Sequence, residues 1–527
     1  MSAEPTVPTR ASVTCAGPID GPWLAYLFAL GLPFLLNLGG APLFDVDEGA
    51  FAEASREMLA SGDLGHTTLN GTDRFDKPVA VYWLQAAFMA WMGPNEWAAR
   101  LPSALCAWVM CVCVARFARE QWGAEVGLWA GALLATSAGM LMIGRASTAD
   151  ALLNLCLALT AMDLWRHLQS GQRVPLRRAA VWAGLGLLTK GPVAVVLPGA
   201  ALTLWLFSSR SLPKARAALS DPLAWGLLLA ISMPWYLYAW ARHGEAFIQG
   251  FLMRHNVDRF GAAMEGHAGN VLYFVVLLPL LWLPWSGLLL PVIRRAAAQW
   301  SDEASRFFLL WAAFVLVFFS ASGTKLPHYG LYASVPLALL MARQAVQHGP
   351  ILRAMMWLGL GAWAALLMFL PWSVQLWSHR ISDPLYRSLL AGLPLPAGVG
   401  VAAAALFAVL LLFVLASVQS FTLRVLACGG GVSLVYAGLV FPWGGEALQG
   451  PIQRAALVSR QHEGQAVQWG VHWPSVAFYR QQETPRRPPR PGELAFVRLD
   501  RSPPTGDYEL LYRERGIGLV RRLGRLP

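Results

Sequence analysis

The stretch FDVDEGAFAEASREMLASGDLGHTTLNGTDRFDKPVAVYW, Phe44 to Trp83, decides how the chain is read. It is dense in charge, and apolar runs flank it on both sides. Asp45, Asp47 and Glu48 open a predicted helix in which Phe51, Met58 and Leu59 share one face, while Glu53, Arg56 and Glu57 lie mostly elsewhere. Gly62 is its expected stop, because glycine adopts the left-handed conformation that ends helices without steric cost. Asn70-Gly71 predicts a tight turn between two short extended pieces, and Lys77-Pro78 precedes a second amphipathic stretch rich in aromatics. The expectation is a folded loop lying on a membrane surface, with acids at one end and a lysine at the other.

Working outward, the 527 residues are 56% hydrophobic and only 13% charged. Soluble domains carry roughly 25% charged residues, so the chain reads as mainly α, a polytopic membrane protein. Its 24 tryptophans suit interfacial belts. A net charge of +11 does not imply nucleic acid, because the basic residues are spread over short loops between apolar runs. Of the six cysteines, all but Cys15 lie in apolar runs, where cysteine behaves as a small hydrophobe. Neither a disulfide framework nor a zinc knuckle is suggested.

Apolar runs recur from Pro22 to residue 442 and predict about thirteen transmembrane helices, the run at 179–189 being short. Arginine-rich loops, such as Arg166 through Arg178 and Arg210 through Arg216, alternate with loops of mixed chemistry. By the positive-inside rule the arginine side is cytoplasmic. The division is a cytoplasmic tail (1–21), a transmembrane domain (22–445, first outer loop 44–96) and a small α/β outer domain (446–527). In that last part Ala466–Val471, Ala477–Arg480, Glu493–Arg498 and Gly518–Arg522 predict short strands.

The outer loops hold the chemistry: GRASTAD (144–150), LTKGP (188–192), MRHNVDRFG (253–261) and SGTKLPHYG (322–330). Ionisable groups at span ends are costly unless paired or wetted, so several on one face predict a shared polar pocket. Each residue has a plainer reading alone. Asp47 caps a helix; Lys77 and Lys190 snorkel to headgroups; Arg145 and Asp150 form a structural salt bridge; His255 is a hydrogen-bonded loop residue; Tyr329 is an interfacial tyrosine. Asn70-Gly71-Thr72 matches the N-glycosylation pattern, a tripeptide frequent by chance. A transporter is the rival class, but transporters place charges near the midplane, whereas here they gather at one face.

DEGAFAE, GDL, RFDKP, YWLQAAF and EWAARLPSAL, followed in order by RASTAD, LLTKGP, HNVDRF and KLPHY, resemble the membrane glycosyltransferases that use polyprenyl-phosphate sugars, a family that includes protein O-mannosyltransferases and aminoarabinose transferases. The resemblance covers roughly residues 22–345. It implies a C-type glycosyltransferase fold, an undecaprenyl-phosphate sugar donor and a lipid A-type, glycan or protein acceptor, with no nucleic-acid partner. It also implies a bacterial inner membrane setting with the active site facing the periplasm. It assigns catalysis to Asp47, Glu48 and Asp150, and contact with the donor phosphate to Lys77, Lys190, Arg259 and Tyr329. Some relatives hold zinc between the acid before Lys-Pro and a later histidine, which here are Asp76 and His255. Two departures stand out: Phe51 replaces a usual tyrosine and Asp76 a usual glutamate.

Such chemistry breaks the bond from the anomeric carbon to a lipid phosphate, and the phosphate gains negative charge. Lys77, Lys190 and Arg259 suit that charge in a low-dielectric pocket. A hydroxyl acceptor needs a base, for which Asp47 is the candidate; a phosphate acceptor is already anionic. The residues leave both open.

Overall fold

Asp47–Ser61 is an α-helix that ends at Gly62 in the left-handed region, with φ 71°. The computed structural model describes residues 20–258, 269–347, 349–391, 418–500 and 507–524, with isolated residues between 407 and 415. Most of the N-terminal tail, Arg259 and most of the apolar run at 396–417 lie outside the described residues. After the loop helix come two short strands, β1 (Thr68–Leu69) and β2 (Thr72–Asp73), paired antiparallel around Asn70-Gly71. The aromatic-rich helix Ala80–Met92 follows.

The loop helix is more deeply covered than an amphipathic surface helix. Phe51 and Met58 are buried as expected, but so are Glu48, Glu53 and Glu57 on the polar side. Each acid has a local reason to be there. Glu57 accepts hydrogen bonds from Thr68 Oγ1 at 2.5 Å, Asn70 N at 2.6 Å and Gly71 N at 3.3 Å, and so holds the hairpin turn. Glu53 receives two bonds of 2.7 Å from Arg56, one turn on.

The cover comes from the C-terminal residues. Helix Pro474–Arg480 packs on the loop helix. At their contact a side chain on Gly49 would stand 2.3 Å from Asp45 Oδ1 and 2.5 Å from Ser475 N, so only glycine allows this approach. Asp45 accepts hydrogen bonds from the Ser475 amide at 2.9 Å and from its hydroxyl. The Tyr479 hydroxyl accepts from Leu43 N at 2.7 Å and donates to Glu96 at 2.9 Å. Asn70 Oδ1 accepts from Thr484 N at 2.8 Å, which ties the hairpin turn to the C-terminal residues.

The C-terminal sheet runs β3 (Ala466–Gln468), β4 (Leu494–Arg498), β6 (Ile517–Arg522), β5 (Tyr508–Glu514). β3 and β4 are parallel and the other pairs antiparallel. The expected strand Ala477–Arg480 is instead the end of helix Pro474–Arg480. Every residue of that helix is buried, so no alternation separates helix from strand in the sequence. Proline in its first turn is the signal that favours a helix. β5 was not marked by the sequence.

Five described helices are long and apolar enough to cross a membrane: Glu96–Trp122, Pro222–His243, Glu303–Ala321, Pro350–Leu370 and Phe421–Ser459. The bent pair Ala124–Thr136 and Ala138–Gly144 makes a sixth if taken as one span. The expected count of about thirteen rests on apolar runs, and several are built from shorter pieces here. Residues 270–292, for example, hold the helix Tyr273–Leu281, a 3-10 turn and the start of helix Leu289–Arg294. The tryptophans divide: Trp83, Trp91, Trp97, Trp225, Trp240, Trp300 and Trp377 are exposed, whereas others lie inside. Trp129, Trp165, Trp205, Trp282, Trp285 and Trp311 are fully buried, because helices surrounded by lipid gain from close shape packing with one another.

Candidate active site

Two helix ends, a 3-10 turn and the first loop bring the polar residues together. Asp150 is the first residue of helix Asp150–Ser170, and Lys190 is the last of helix Arg173–Lys190, which packs against it. Lys190 Nζ donates to Asp150 Oδ1 and to the Tyr332 hydroxyl, both at 2.6 Å. Tyr332 in turn donates to Asp150 Oδ1 at 2.9 Å. Tyr329 and Tyr332 sit three apart in the 3-10 helix Pro327–Ala333, where that spacing eclipses side chains. Both rings accordingly face the Lys190 ammonium, with centroids at 5.8 and 5.4 Å.

The first loop supplies the other wall. Lys77 Nζ donates to Asp76 Oδ1 at 2.6 Å, and Arg74 reaches Asp76 Oδ2 at 2.9 Å. His255, on the π-helix Ile248–Asp258, places Nδ1 3.1 Å from Asp76 Oδ1. Burial pushes the Asp76 carboxyl up, but Lys77, Arg74 and His255 outweigh it and hold it well below the usual carboxylate range. Asp76, Lys77, Lys190, His255, Tyr329 and Tyr332 line one cavity of about 190 Å³, with Phe318 and Phe319 as an apolar wall. It is smaller than the roughly 300–1,000 Å³ pockets that enclose drug-sized ligands. A larger cavity, about 250 Å³ between Gly361, Leu367, Phe407 and Val432, has a wholly apolar lining.

Asp47 and Glu48, adjacent in sequence, fare differently. Asp47 is exposed, and no side chain caps the helix start, so the capping role expected of it is absent. Its charged surroundings are those of the cavity. Crowding by the protein raises its carboxyl pKa; Asp150 and Asp76 add to the rise, and Lys77 and Lys190 oppose it. Water at the exposed side chain moderates the effect. Glu48 is buried and saturated: it binds Arg100 through both oxygens at 2.9 and 2.7 Å, and accepts from Phe44 N at 2.9 Å and Ser147 N at 2.7 Å. With all its lone pairs engaged, it has none left for a substrate.

The expected Arg145–Asp150 salt bridge does not form. Arg145 donates to the carbonyls of Pro33, Phe34, Leu36 and Asn37, and Asp150 pairs with Lys190. Phe51 stacks on Tyr82 at 5.5 Å and lies under Arg74 at 5.6 Å, so the missing hydroxyl is replaced by a packed aromatic face. Among the described residues, Asp76 and His255 offer two donors to a zinc ion, fewer than the three or four that proteins supply, and Asp76 already holds two cations. Lys325 of KLPHY binds the carbonyls of Ser320 and Ser322 and closes the end of helix Glu303–Ala321.

Sequence reasoning missed Arg74, Tyr332, His328 and Arg100. His328 Nε2 lies 3.8 Å from Asp150. The three-residue spacing from Tyr329 was the available signal for Tyr332. For Arg74 it was the acid two positions on.

The solved ArnT of Cupriavidus metallidurans, bound to undecaprenyl phosphate, superposes with a TM-score of 0.78 at 21% identity, covering 95% of this chain and 98% of that one. The two share one fold. Like ArnT, the chain is a helical membrane protein. Residues 76–240 match the family model described as dolichyl-phosphate-mannose-protein mannosyltransferase. The undecaprenyl phosphate-alpha-4-amino-4-deoxy-L-arabinose arabinosyl transferase 2 of Pseudomonas fluorescens is 34% identical over 324 residues, 60% of this chain and 54% of that relative. The corresponding transferase of Edwardsiella ictaluri is 30% identical over 366 residues, 67% of this chain and 65% of that relative. The chain therefore spans less than two thirds of the length of these curated relatives.

Proposed function

We propose that the chain transfers a sugar from undecaprenyl phosphate to a lipid A-type acceptor at the outer face of the bacterial inner membrane. The observation that carries this reading is the single cavity with Lys77, Lys190, His255 and two tyrosine rings, walled by phenylalanines. The named activity of the relatives, and the ligand of the solved ArnT, fit the same chemistry.

The acceptor oxygen attacks the anomeric carbon as the bond to the donor phosphate oxygen breaks. The bonding electrons leave with the phosphate. Lys77 and Lys190 meet that charge inside a site of low dielectric, where fixed cations stabilise it most. Both are paired with carboxylates already; these hold the ammonium groups in place until a phosphate replaces one contact. Arg259 is a third cation for the same role, from outside the described residues. Asp47 orients the sugar or the attacking group, and with a hydroxyl acceptor it takes the proton. Glu48 acts as a positioning residue, since its carboxylate ties the loop helix to Arg100 and to the turn before Asp150.

The test is mass spectrometry of lipid A from cells with and without the gene. A sugar-sized mass that disappears with the gene supports the reading. Unchanged lipid A together with loss of sugar from exported proteins would replace it with protein O-glycosylation.

A further inference from the structure

We infer that His66, Asp73 and His243 form a divalent-cation site of the zinc class, which clamps the first loop to the end of helix Pro222–His243. It is separate from the Asp76–His255 pair and goes beyond the transfer reaction proposed above. His66 Nε2 lies 3.1 Å from Asp73 Oδ1, and His243 Nδ1 lies 3.6 Å from Asp73 Oδ2. Taking one donor atom from each residue, the three fall within 4.8 Å of one another. The two imidazoles are tilted against each other with centroids 4.5 Å apart.

The spacing is what a metal asks for. Bonds of about 2.0–2.2 Å at tetrahedral angles put neighbouring donors roughly 3.3 Å apart, and the two histidine–carboxylate separations, one to each Asp73 oxygen, bracket that figure. Two imidazoles and one carboxylate are also a donor set that zinc takes, with a fourth position left for water. A second observation points the same way. His66 Nε2 is buried and makes no hydrogen bond among the described residues, although a carboxylate oxygen stands beside it. A buried polar atom in that state needs an explanation, and a cation between the two groups supplies one. Asp73 is half exposed while the histidine side chains are 14% and 13% exposed, so an ion has a way in and a dry floor. Phe75 closes one side, 5.1 Å from His243.

The site sits on a seam that other contacts already mark. Trp235 Nε1 donates to Gly65 O at 2.9 Å, and Arg242 pairs with Asp63 at 2.5 Å. Asp73 lies three residues before Asp76, and His243 twelve before His255. An ion here therefore fixes, at a distance, the two chain segments that face each other across the cavity.

The experiment uses the full chain in detergent, stripped with a chelator, equilibrated with zinc, and measured for metal per chain. The wild type is expected to hold about one equivalent, the double variant His66→Gln with His243→Gln to lose it, and Asp76→Asn to keep it. A double variant that keeps its zinc while Asp76→Asn loses it assigns the ion to Asp76 and His255 and overturns the proposal. A wild type that binds none overturns it as well. A measurement on the wild type alone guards against a variant that does not fold: zinc should slow diethyl pyrocarbonate modification of His66 and His243, read peptide by peptide. Equal modification with and without zinc sinks the idea.

Discussion

Glu48–Arg100 and Asp76–Lys77 are both ion pairs made by acids of the first loop, and they are made differently. Arg100 is fully buried and uses every N–H it has, on Glu48 and on the carbonyls of Leu38, Ala41 and Pro42. Glu48 is likewise filled by two backbone amides. Asp76–Lys77 instead joins neighbours in sequence, with Lys77 facing a cavity. A charge whose valences are all met by the protein is scaffold. A charge pair left against open space is where an anionic ligand can trade places with the partner.

Arg100→Ala should sharpen that contrast most. It leaves Glu48 buried without its counter-ion, which costs about 3–5 kcal/mol, and the variant should fail to yield folded protein or melt far lower in detergent. A variant with wild-type melting would make Arg100 no more structural than Lys77. Lys77→Ala is the opposite case. Asp76 keeps Arg74 and His255, so melting should hold while transfer from a polyprenyl-phosphate donor falls by about 10²–10³-fold, the effect of removing one preorganised contact. Undiminished turnover would take Lys77 out of the phosphate site.

Asp47→Asn comes next. Asp47 caps nothing, so thermal stability should not move. Transfer to a hydroxyl acceptor should drop by about 10²-fold or more and lose the acid limb of its pH profile; transfer to a phosphate acceptor should drop less and keep its profile. An active, stable variant with both acceptors would leave Asp150 as the carboxylate to pursue.

The smallest effect is a slope. Burial raises the Asp45 carboxyl to about 7, against the pull of its two bonds from Ser475 and with help from Glu48. The folded chain thus holds this proton more tightly than the unfolded chain, whose carboxyl titrates near about 3.9. Stability should therefore decline as pH rises from about 4 to 7. Glu53, raised to about 8 chiefly by burial, adds to the same decline. Asp45→Asn should flatten part of it in melting curves taken at pH 5 and pH 8; identical slopes would place Asp45 in water.

The loop helix, its glycine stop, the Asn70-Gly71 hairpin and the gathering of Lys77, Lys190, His255 and Tyr329 were legible because local rules govern them: period, turn chemistry, and the cost of charge near lipid. What was not legible depends on partners far away in the chain. Nothing near Asp45 tells that the C-terminal helix will supply its partner, and nothing near Asp150 chooses Lys190 over Arg145. Ala477–Arg480, the end of helix Pro474–Arg480, read as a strand because burial on all sides erases periodicity. The difference between Asp47 and Glu48 is likewise invisible in a dipeptide.

Ser475, Tyr479 and Thr484 hold residues 43–70 through hydrogen bonds to Asp45, Leu43 and Asn70. That feature sets an order of assembly. The segment carrying Asp47 leaves the ribosome more than four hundred residues before the residues that clasp it. Until those residues are made, the acids of this loop wait beside the membrane without their cover. A nascent chain arrested before residue 475 should therefore be open to protease in the Asp45–Asn70 region, and one extended well past Thr484 closed.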